Sequence, residues 1–349
     1  MGWESNVRKV VPYVPGEQPA GTGIIKLNTN ENPYPPSPMV IKAMREFDAE
    51  KLRLYPDPEA TELLKAIADC YHVPCENVFP GVGSDDVLAM AFLAFFNGDG
   101  EVLFPDISYS FYSVWVSLFE IPARQIPVGE DFTINPEDYY NAPGGVVIAN
   151  PNAPTGLLLS AEAVESIVSH NPDCVVIVDE AYIDFGGTTV LPLIERYDNL
   201  LIIRTTSKSR AMAGSRIGYA FGSEKIIRYL KDVKYSINSY TMNSQTIAAG
   251  TAAFKDTAYF KDICGRIIRT RERLAKELQA LGFVFPESSA NFIFARHPSH
   301  SGQELFDALK ERRIYVRHWN TPRIEDYLRI TVGTEEETDR LLTALKEIL

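Results

Sequence analysis

Cysteine and histidine are scarce, with four and five among 349 residues. Cys70, His72 and Cys75 lie close together, but no second cluster supplies the remaining ligands of a four-coordinate site, so no metal is expected. Four cysteines in so long a chain do not make a disulfide scaffold. Cys174 opens an apolar strand and Cys264 lies in a helical segment, and both read as small core residues. Basic residues are outnumbered, 34 Lys and Arg against 46 Asp and Glu, leaving a net charge of −12. With no Lys/Arg run, the chain is a poor match for nucleic acid or an anionic membrane surface. The longest apolar run, Val87 to Phe96, is too short to cross a bilayer. The opening stretch MGWESNVRKVVPY lacks the apolar core of a secretion signal, so a cytoplasmic protein is expected.

What is present is an ordinary mixture for a compact soluble protein, 45% apolar and 23% charged, in a chain long enough for two domains. The first fifty residues are punctuated by Pro and Gly, above all in Asn32-Pro33-Tyr34-Pro35-Pro36-Ser37-Pro38, which reads as an extended arm. Amphipathic helix is expected to begin near Ser37 and again near Glu59. From Asn77 onward short β-rich runs alternate with helical segments. The runs are Val78-Phe79, Val102 to Phe104, Val146 to Ala149, Val175 to Val178, Leu200 to Ile203 and Ile217 to Phe221. Continuous apolar strands separated by helices predict an α/β fold, a mostly parallel sheet covered by helices on both faces. Near Phe254 a long charged helix, Cys264 to Leu281, takes over. Strands at Asn291 to Ala295, Ile314 to Arg317 and Tyr327 to Val332 follow, predicting a smaller α+β domain. The expected division is an arm and part of the small domain over 1–48, a large domain over 49–253 and a small domain over 254–349.

Ligands of α/β sheets sit beyond the C-terminal ends of the strands, so the polar residues there carry the information. Gly81-Val82-Gly83-Ser84-Asp85-Asp86 precedes an apolar helix. It is either a plain capped turn or, through free N–H groups and the helix dipole, a phosphate site. Its spacing fits neither a Walker loop nor the three-glycine dinucleotide fingerprint. Val178-Asp179-Glu180-Ala181-Tyr182 ends an apolar strand, where a carboxylate is costly unless it meets a cation or a donor. It caps the next segment or accepts from a protonated ring nitrogen, with Tyr182 as a nearby phenol donor. Arg204-Thr205-Thr206-Ser207-Lys208-Ser209-Arg210 and Gly214-Ser215-Arg216 are either solvated or a second phosphate clamp with Lys208 inside it. A desolvated lysine beside other cations is the amine for Schiff-base chemistry. Asn150-Pro151-Asn152-Ala153-Pro154-Thr155-Gly156 is a tight polar loop that, in this company, places an amide against a cofactor ring. Lysine, carboxylate and phosphate cradle together are the parts needed for pyridoxal phosphate (PLP).

The order of these stations resembles the fold-type-I PLP-dependent aminotransferases of class I/II. Four further segments are similar to the histidinol-phosphate aminotransferases within that group: Pro12 to Gly16, Leu27-Asn28-Thr29-Asn30-Glu31-Asn32-Pro33, Tyr55-Pro56-Asp57 and Leu328 to Gly333. The resemblance spans nearly the whole chain. It implies that Lys208 bonds covalently to PLP and moves a proton between substrate Cα and cofactor C4′. Asp179 would pair with the ring nitrogen, Tyr182 would donate to the ring oxygen O3′ and Tyr109 would stack on the ring. Gly83, Ser84, Asp85, Thr205, Ser207 and Arg216 would meet the phosphate. Tyr55 would reach the phosphate of a neighbouring subunit, implying a homodimer with shared sites. Arg329 would take the carboxylate of glutamate, and Tyr13, Asn30 and Arg317 would grip a substrate phosphate. The implied reaction passes the amino group of histidinol phosphate to 2-oxoglutarate.

The chain departs from the family pattern in three places. Ala153 stands where a second Asn is usual, so the amide contact to O3′ is lost or falls to Asn152. Leu54 replaces an arginine before Tyr-Pro-Asp, and Ser209-Arg210 follows the lysine instead of a small-aromatic pair. The competing readings with the same cofactor are an aromatic aminotransferase and a threonine-phosphate-type decarboxylase. A PLP-binding regulator is disfavoured, because no length is spare for a DNA-binding domain.

Overall fold

The computed structural model describes residues 2–349. After a 3-10 helix at Trp3–Asn6, the N-terminal arm runs through irregular chain into a short strand β1 (Ile25–Lys26). Helix α1 (Pro38–Arg45) starts where Ser37 accepts from the Val40 N–H at 3.2 Å and Pro38 presets the first turn. Helix α2 (Thr61–Tyr71) follows. The chain then alternates through β2 (Val78–Gly81), α3 (Ser84–Phe95), β3 (Val102–Pro105), α4 (Phe111–Phe119), β4 (Ala123–Ile126), β5 (Gly145–Ala149), α5 (Ala161–Ser169), β6 (Val176–Asp179), β7 (Leu200–Thr205) and β8 (Gly218–Gly222). Helices α6 (Glu224–Ile237) and α7 (Ser244–Lys255) close this part. After the long α8 (Thr257–Ala280) come β9 (Phe292–Arg296), α9 (Gly302–Glu311), β10 (Ile314–Tyr315), β11 (Arg317–His318), β12 (Tyr327–Thr331) and α10 (Glu335–Ile348).

Strands β2 to β8 form one seven-stranded sheet in the order β2-β8-β7-β6-β5-β3-β4, in which only β8 runs against its neighbours. Every residue of β5, β6 and β7 is buried, as expected of strands covered on both faces. Alternate side chains go to opposite sides. Val146, Ile148, Val176, Val178, Leu200 and Ile202 pack with Leu63, Ile67, Ile167 and Ile247 from α2, α5 and α7. Val147, Ile177, Leu201 and Ile203 pack with Leu88, Phe92, Tyr112 and Leu230 from α3, α4 and α6. This is the expected α/β sandwich.

A separate core lies beyond β8, where Ile293, Ala295, Leu328 and Ile330 pack against Leu274, Leu278, Leu305 and Leu341. Ile25 and Leu27 of the arm join it, because β1 pairs in parallel with β10. Strands β11, β12 and β9 make a three-stranded antiparallel sheet.

Three expectations need correction. The single strand expected over Ile314 to Arg317 is two: β10 joins β1, β11 joins β12, and the buried Val316 lies between them. Helix α8 begins at Thr257, seven residues before Cys264, because the Asp256 side chain caps it by accepting from the Tyr259 N–H. The edge strand β4 was not anticipated, since its sequence ARQI exposes two of four residues and carries no apolar run. No helix among the described residues is long and apolar enough to cross a membrane.

A buried ion pair braces the sheet next to its C-terminal edge. Arg204, 3% exposed, donates to Glu180 at 2.9 Å and to Thr189 at 2.6 Å, with its guanidinium 4.9 Å over the Tyr71 ring. Glu180, 1% exposed, also accepts from the Val190 N–H at 2.8 Å. Removing one partner strands the other charge in the interior. Glu180→Ala is therefore expected to lower unfolding stability by about 3–5 kcal/mol in chemical denaturation, whereas a surface pair such as Lys42–Glu46 contributes about 0–1 kcal/mol.

Candidate active site

The register of the large sheet sets Asp179 beside Ala149 and Ile203, and Gly218 between Gly81 and Thr205. The C-terminal ends of β2, β5, β6 and β7 and the start of β8 thus form one edge. Facing this edge are Arg317 and Arg329, which lie directly opposite each other on β11 and β12. Between the two lies a cavity of about 260 Å³.

Thirteen of the residues expected in a site line this cavity: Asp179, Tyr182, Lys208 and Arg216; Ser84, Asp85, Thr205 and Ser207; Tyr109; and Tyr13, Asn30, Arg317 and Arg329. Three do not. Gly83 shapes the cavity from behind: its φ is +92°, and a Cβ there would stand 2.5 Å from Arg216 Nη2. Gly218 is similarly required, since a Cβ would meet the Gly83 backbone at 2.2 Å. Asn152 is turned away. Its amide donates to the Ile107 carbonyl at 2.9 Å and accepts from Ser108 at 2.8 Å, so it holds the loop, while Ala153 lines the cavity. The sequence leaves the amide contact either lost or taken by Asn152, and here the Asn152 side chain is engaged with its own loop. Tyr55 lies apart, 82% exposed and stacked on Tyr240 at 4.7 Å.

Burial dominates the electrostatics. The Asp179 carboxylate accepts from Tyr112 Oη at 3.0 Å and from the Ala181 N–H at 3.1 Å, and no described cation pairs with it. Desolvation, which these two donors only partly offset, pushes its pKa up to about 6. The Lys208 amine donates to the Thr29 carbonyl at 3.0 Å. Its burial, then the charges of Arg329 and Arg216 against the opposing pull of Glu31 and Asp85, bring its pKa down to about 8. Tyr109 donates to Asp85 at 2.8 Å, and Arg216 reaches the same carboxylate at 3.4 Å. Arg329 donates to the Asn28 carbonyl at 2.9 Å, but its buried Nε has no partner. Burial, reinforced by the charge of Arg317, holds its pKa below the ordinary guanidinium range. Like charges directly opposite across a sheet repel. An unpartnered buried N–H and an opposed arginine pair both call for an anion.

The arm completes one wall. Tyr13 stacks on Phe111 at 4.3 Å, Arg317 donates to the Val14 carbonyl at 3.4 Å, and Arg8 hydrogen-bonds the Leu118 carbonyl. Sequence reasoning missed Glu31, which lines the cavity while paired with Lys26 at 2.6 Å, and Tyr112, which donates to Asp179. Among the described residues no three His, Cys, Asp or Glu side chains gather to hold a metal. Cys70 accepts from Arg210 at 3.4 Å.

The residues fit PLP on physical grounds. A buried carboxylate without a cation suits a protonated ring nitrogen, and an amine with a lowered pKa suits an aldehyde. The start of α3, with Thr205, Ser207 and Arg216, suits a phosphate. A mixed sheet with such a lysine and carboxylate at its C-terminal edge defines the PLP-dependent transferases. Residues 22–345 match the aminotransferase class I and II family, and the chain belongs to it. The histidinol-phosphate aminotransferase of Lactococcus lactis subsp. cremoris is 49% identical over 349 residues, covering 100% of this chain and 98% of that protein. That of Acinetobacter baylyi is 51% identical over 347 residues, covering 99% and 96%. The crystal structure of the Sinorhizobium meliloti histidinol-phosphate aminotransferase in complex with pyridoxal-5'-phosphate superposes with a TM-score of 0.84 at 25% identity, covering 93% of this chain and 90% of that one.

Two predictions follow from burial. A folded-state pKa of about 6 against 3.8 for Asp179 means that its contribution to stability is present below pH 3.8 and lost as pH rises through 6. Asp179→Asn should therefore raise the stability of the cofactor-free protein at pH 7 by on the order of 2–3 kcal/mol in thermal or denaturant unfolding, and leave it unchanged near pH 3.5. Lys208 in the cofactor-free protein should react with an amine-acylating reagent along a pH curve centred near 8.

Proposed function

We propose that this enzyme passes the amino group of L-histidinol phosphate to 2-oxoglutarate, giving imidazole-acetol phosphate and L-glutamate, a step of histidine biosynthesis. The observation that carries this reading is the Arg317–Arg329 pair on the cavity wall. One substrate brings a phosphate and the other carboxylates, and bidentate guanidinium groups suit both. Two substrates that take turns in one site can share the same pair of cations. The names borne by the relatives at about half identity support this reading over an aromatic aminotransferase or a threonine-phosphate decarboxylase.

PLP bound here supplies an electron sink for the bond being broken at the substrate's α-carbon. The chain's own groups do the rest. Asp179 would keep the ring nitrogen protonated. Arg216, Thr205, Ser207 and the N-terminal turn of α3, with Gly83 behind it and Ser84 and Asp85 in it, would hold the cofactor phosphate. Tyr109 would cover the ring face and Tyr182 would donate toward the ring oxygen. Lys208 Nζ, partly neutral near pH 8, takes the proton from the substrate Cα and returns it on the other side of the exchange. Tyr13, Arg317 and Arg329, on the same cavity as Lys208, would orient the substrate toward that amine. We place the reaction in the cytoplasm and in a homodimer. Tyr55, exposed together with Leu52, Leu54 and Tyr240, would reach across to the second subunit's cofactor phosphate.

A substrate panel tests the reading. Keto-product should form from histidinol phosphate with 2-oxoglutarate faster than from phenylalanine or tyrosine, and threonine phosphate should release no carbon dioxide. Lys208→Ala should lower the rate by about 10²–10⁴-fold or more, and Arg329→Ala should raise KM for 2-oxoglutarate by about tenfold to a hundredfold. Carbon dioxide as the sole product, or undiminished turnover by Lys208→Ala, would contradict it.

A further inference from the structure

Asn30 carries a hydrogen-bond pattern that gripping a substrate does not require. It is 1% exposed and sits at φ +56°, a left-handed conformation that Asn and Asp adopt more readily than other side chains. All four of its polar groups are engaged within the protein. Its N–H donates to Thr331 Oγ1 at 3.1 Å, and its carbonyl accepts from Asn291 at 3.0 Å. Its Oδ1 accepts from Thr331 Oγ1 at 3.0 Å, and its Nδ2 donates to Tyr182 Oη at 3.0 Å.

Thr331 decides which way this amide points. Its buried hydroxyl accepts from the Asn30 N–H and gives its hydrogen to Asn30 Oδ1. The reversed amide would leave that hydrogen without an acceptor among the described residues, which is unfavourable in the interior. The amide N–H therefore points at the phenol oxygen of Tyr182. The phenol hydrogen, having no protein acceptor, is left for whatever occupies the cavity.

We infer that Asn30, locked by Thr331, is a positioning residue that fixes Tyr182 as a hydrogen-bond donor toward the cofactor's ring oxygen, and does not grip the substrate phosphate. The inference deepens the proposed function and rests on it. Thr331 lies two residues beyond Arg329 on β12, so one strand holds both the anion-binding cation and the lock on Tyr182. With Ala153 in the cavity wall and Asn152 turned away, no side-chain amide of that loop shares the task. The charged groups facing Tyr182 are Arg329 from β12, Asp179 at the end of β6, Asp85 in α3, and Lys208, whose Nζ is 5.9 Å from the ring centre.

Asn30→Asp preserves shape, backbone preference and the acceptor for Thr331, but it replaces the donor facing Tyr182 by an acceptor. The phenol hydrogen then turns back to the carboxylate. In the PLP-loaded protein, the pH at which the bound cofactor changes its absorbance should rise by about one unit or more. The rate constant kcat should fall about tenfold, with KM for both substrates changing less than about threefold. Thr331→Val, which adds no charge, should move the absorbance midpoint in the same direction by a smaller amount. A midpoint moved by less than about 0.2 units in both variants, with a raised KM for the phosphate-bearing donor, would overturn the inference and return Asn30 to substrate binding. A wild-type protein that takes up no PLP would instead defeat the proposed function. In that case the phenolate titration of Tyr182, read against Tyr182→Phe in the cofactor-free protein, still decides: a higher value in Asn30→Asp supports the lock, an unchanged one refutes it.

Discussion

A carboxylate and an amine share one cavity, and neither neutralises the other. Asp179 and Lys208 are both driven by desolvation toward their uncharged forms, one upward to about 6 and the other downward to about 8. An arrangement that opposes folding is kept only where a ligand relieves it. A ring with a protonated nitrogen at one end and an aldehyde toward the other meets both demands. The surrounding structure holds the pair in that condition. Asp179 is the last residue of a strand buried on both faces, and Tyr112 and the Ala181 N–H fix its two oxygens. Immediately behind it, Glu180 is anchored by the buried Arg204, so the strand end cannot shift without breaking an interior ion pair.

The opposite wall has the opposite character. In a chain of net charge −12, Arg216, Arg317 and Arg329 gather on one cavity, and two of them are direct cross-strand neighbours. The acidic residues Asp85 and Glu31 hold part of this charge in check, Asp85 by contact with Arg216 and Glu31 by its pull on Lys208. Positive potential confined to a cleft draws anionic substrates in, while the acidic remainder of the surface discourages nucleic acid. The distribution of charge, more than its sum, suits the cavity to small anions.

Much of this was legible from the residues, and for physical reasons. Strands β5, β6 and β7 are buried on both faces, so they read as unbroken runs of Val, Ile and Leu. Polar residues at their ends had to be ligand-facing or capping, which singled out Asp179, Thr205 and Lys208. Strand β4 stayed hidden because an edge strand with exposed Arg and Gln has no apolar signal. The break between Tyr315 and Arg317 stayed hidden because one apolar residue, Val316, looks the same inside a strand and between two. Tyr112 and Thr331 act through other residues. The phenol lies in an apolar helix and the hydroxyl in a strand, and nothing in their spacing distinguishes a hydrogen-bonded side chain from an inert one. Asn152 and Ala153 show the converse: adjacent positions in a polar loop face opposite ways, and only the three-dimensional path of the loop tells which side chain meets the cavity.

The central claim is that Lys208 is the amine placed to bond the cofactor. Its most direct test is to load the purified protein with PLP, reduce it with borohydride, digest it and locate the fixed cofactor by mass spectrometry. The account predicts one pyridoxyl group per chain, carried on Lys208. Label spread over surface lysines, or fixed at another single position, would contradict it.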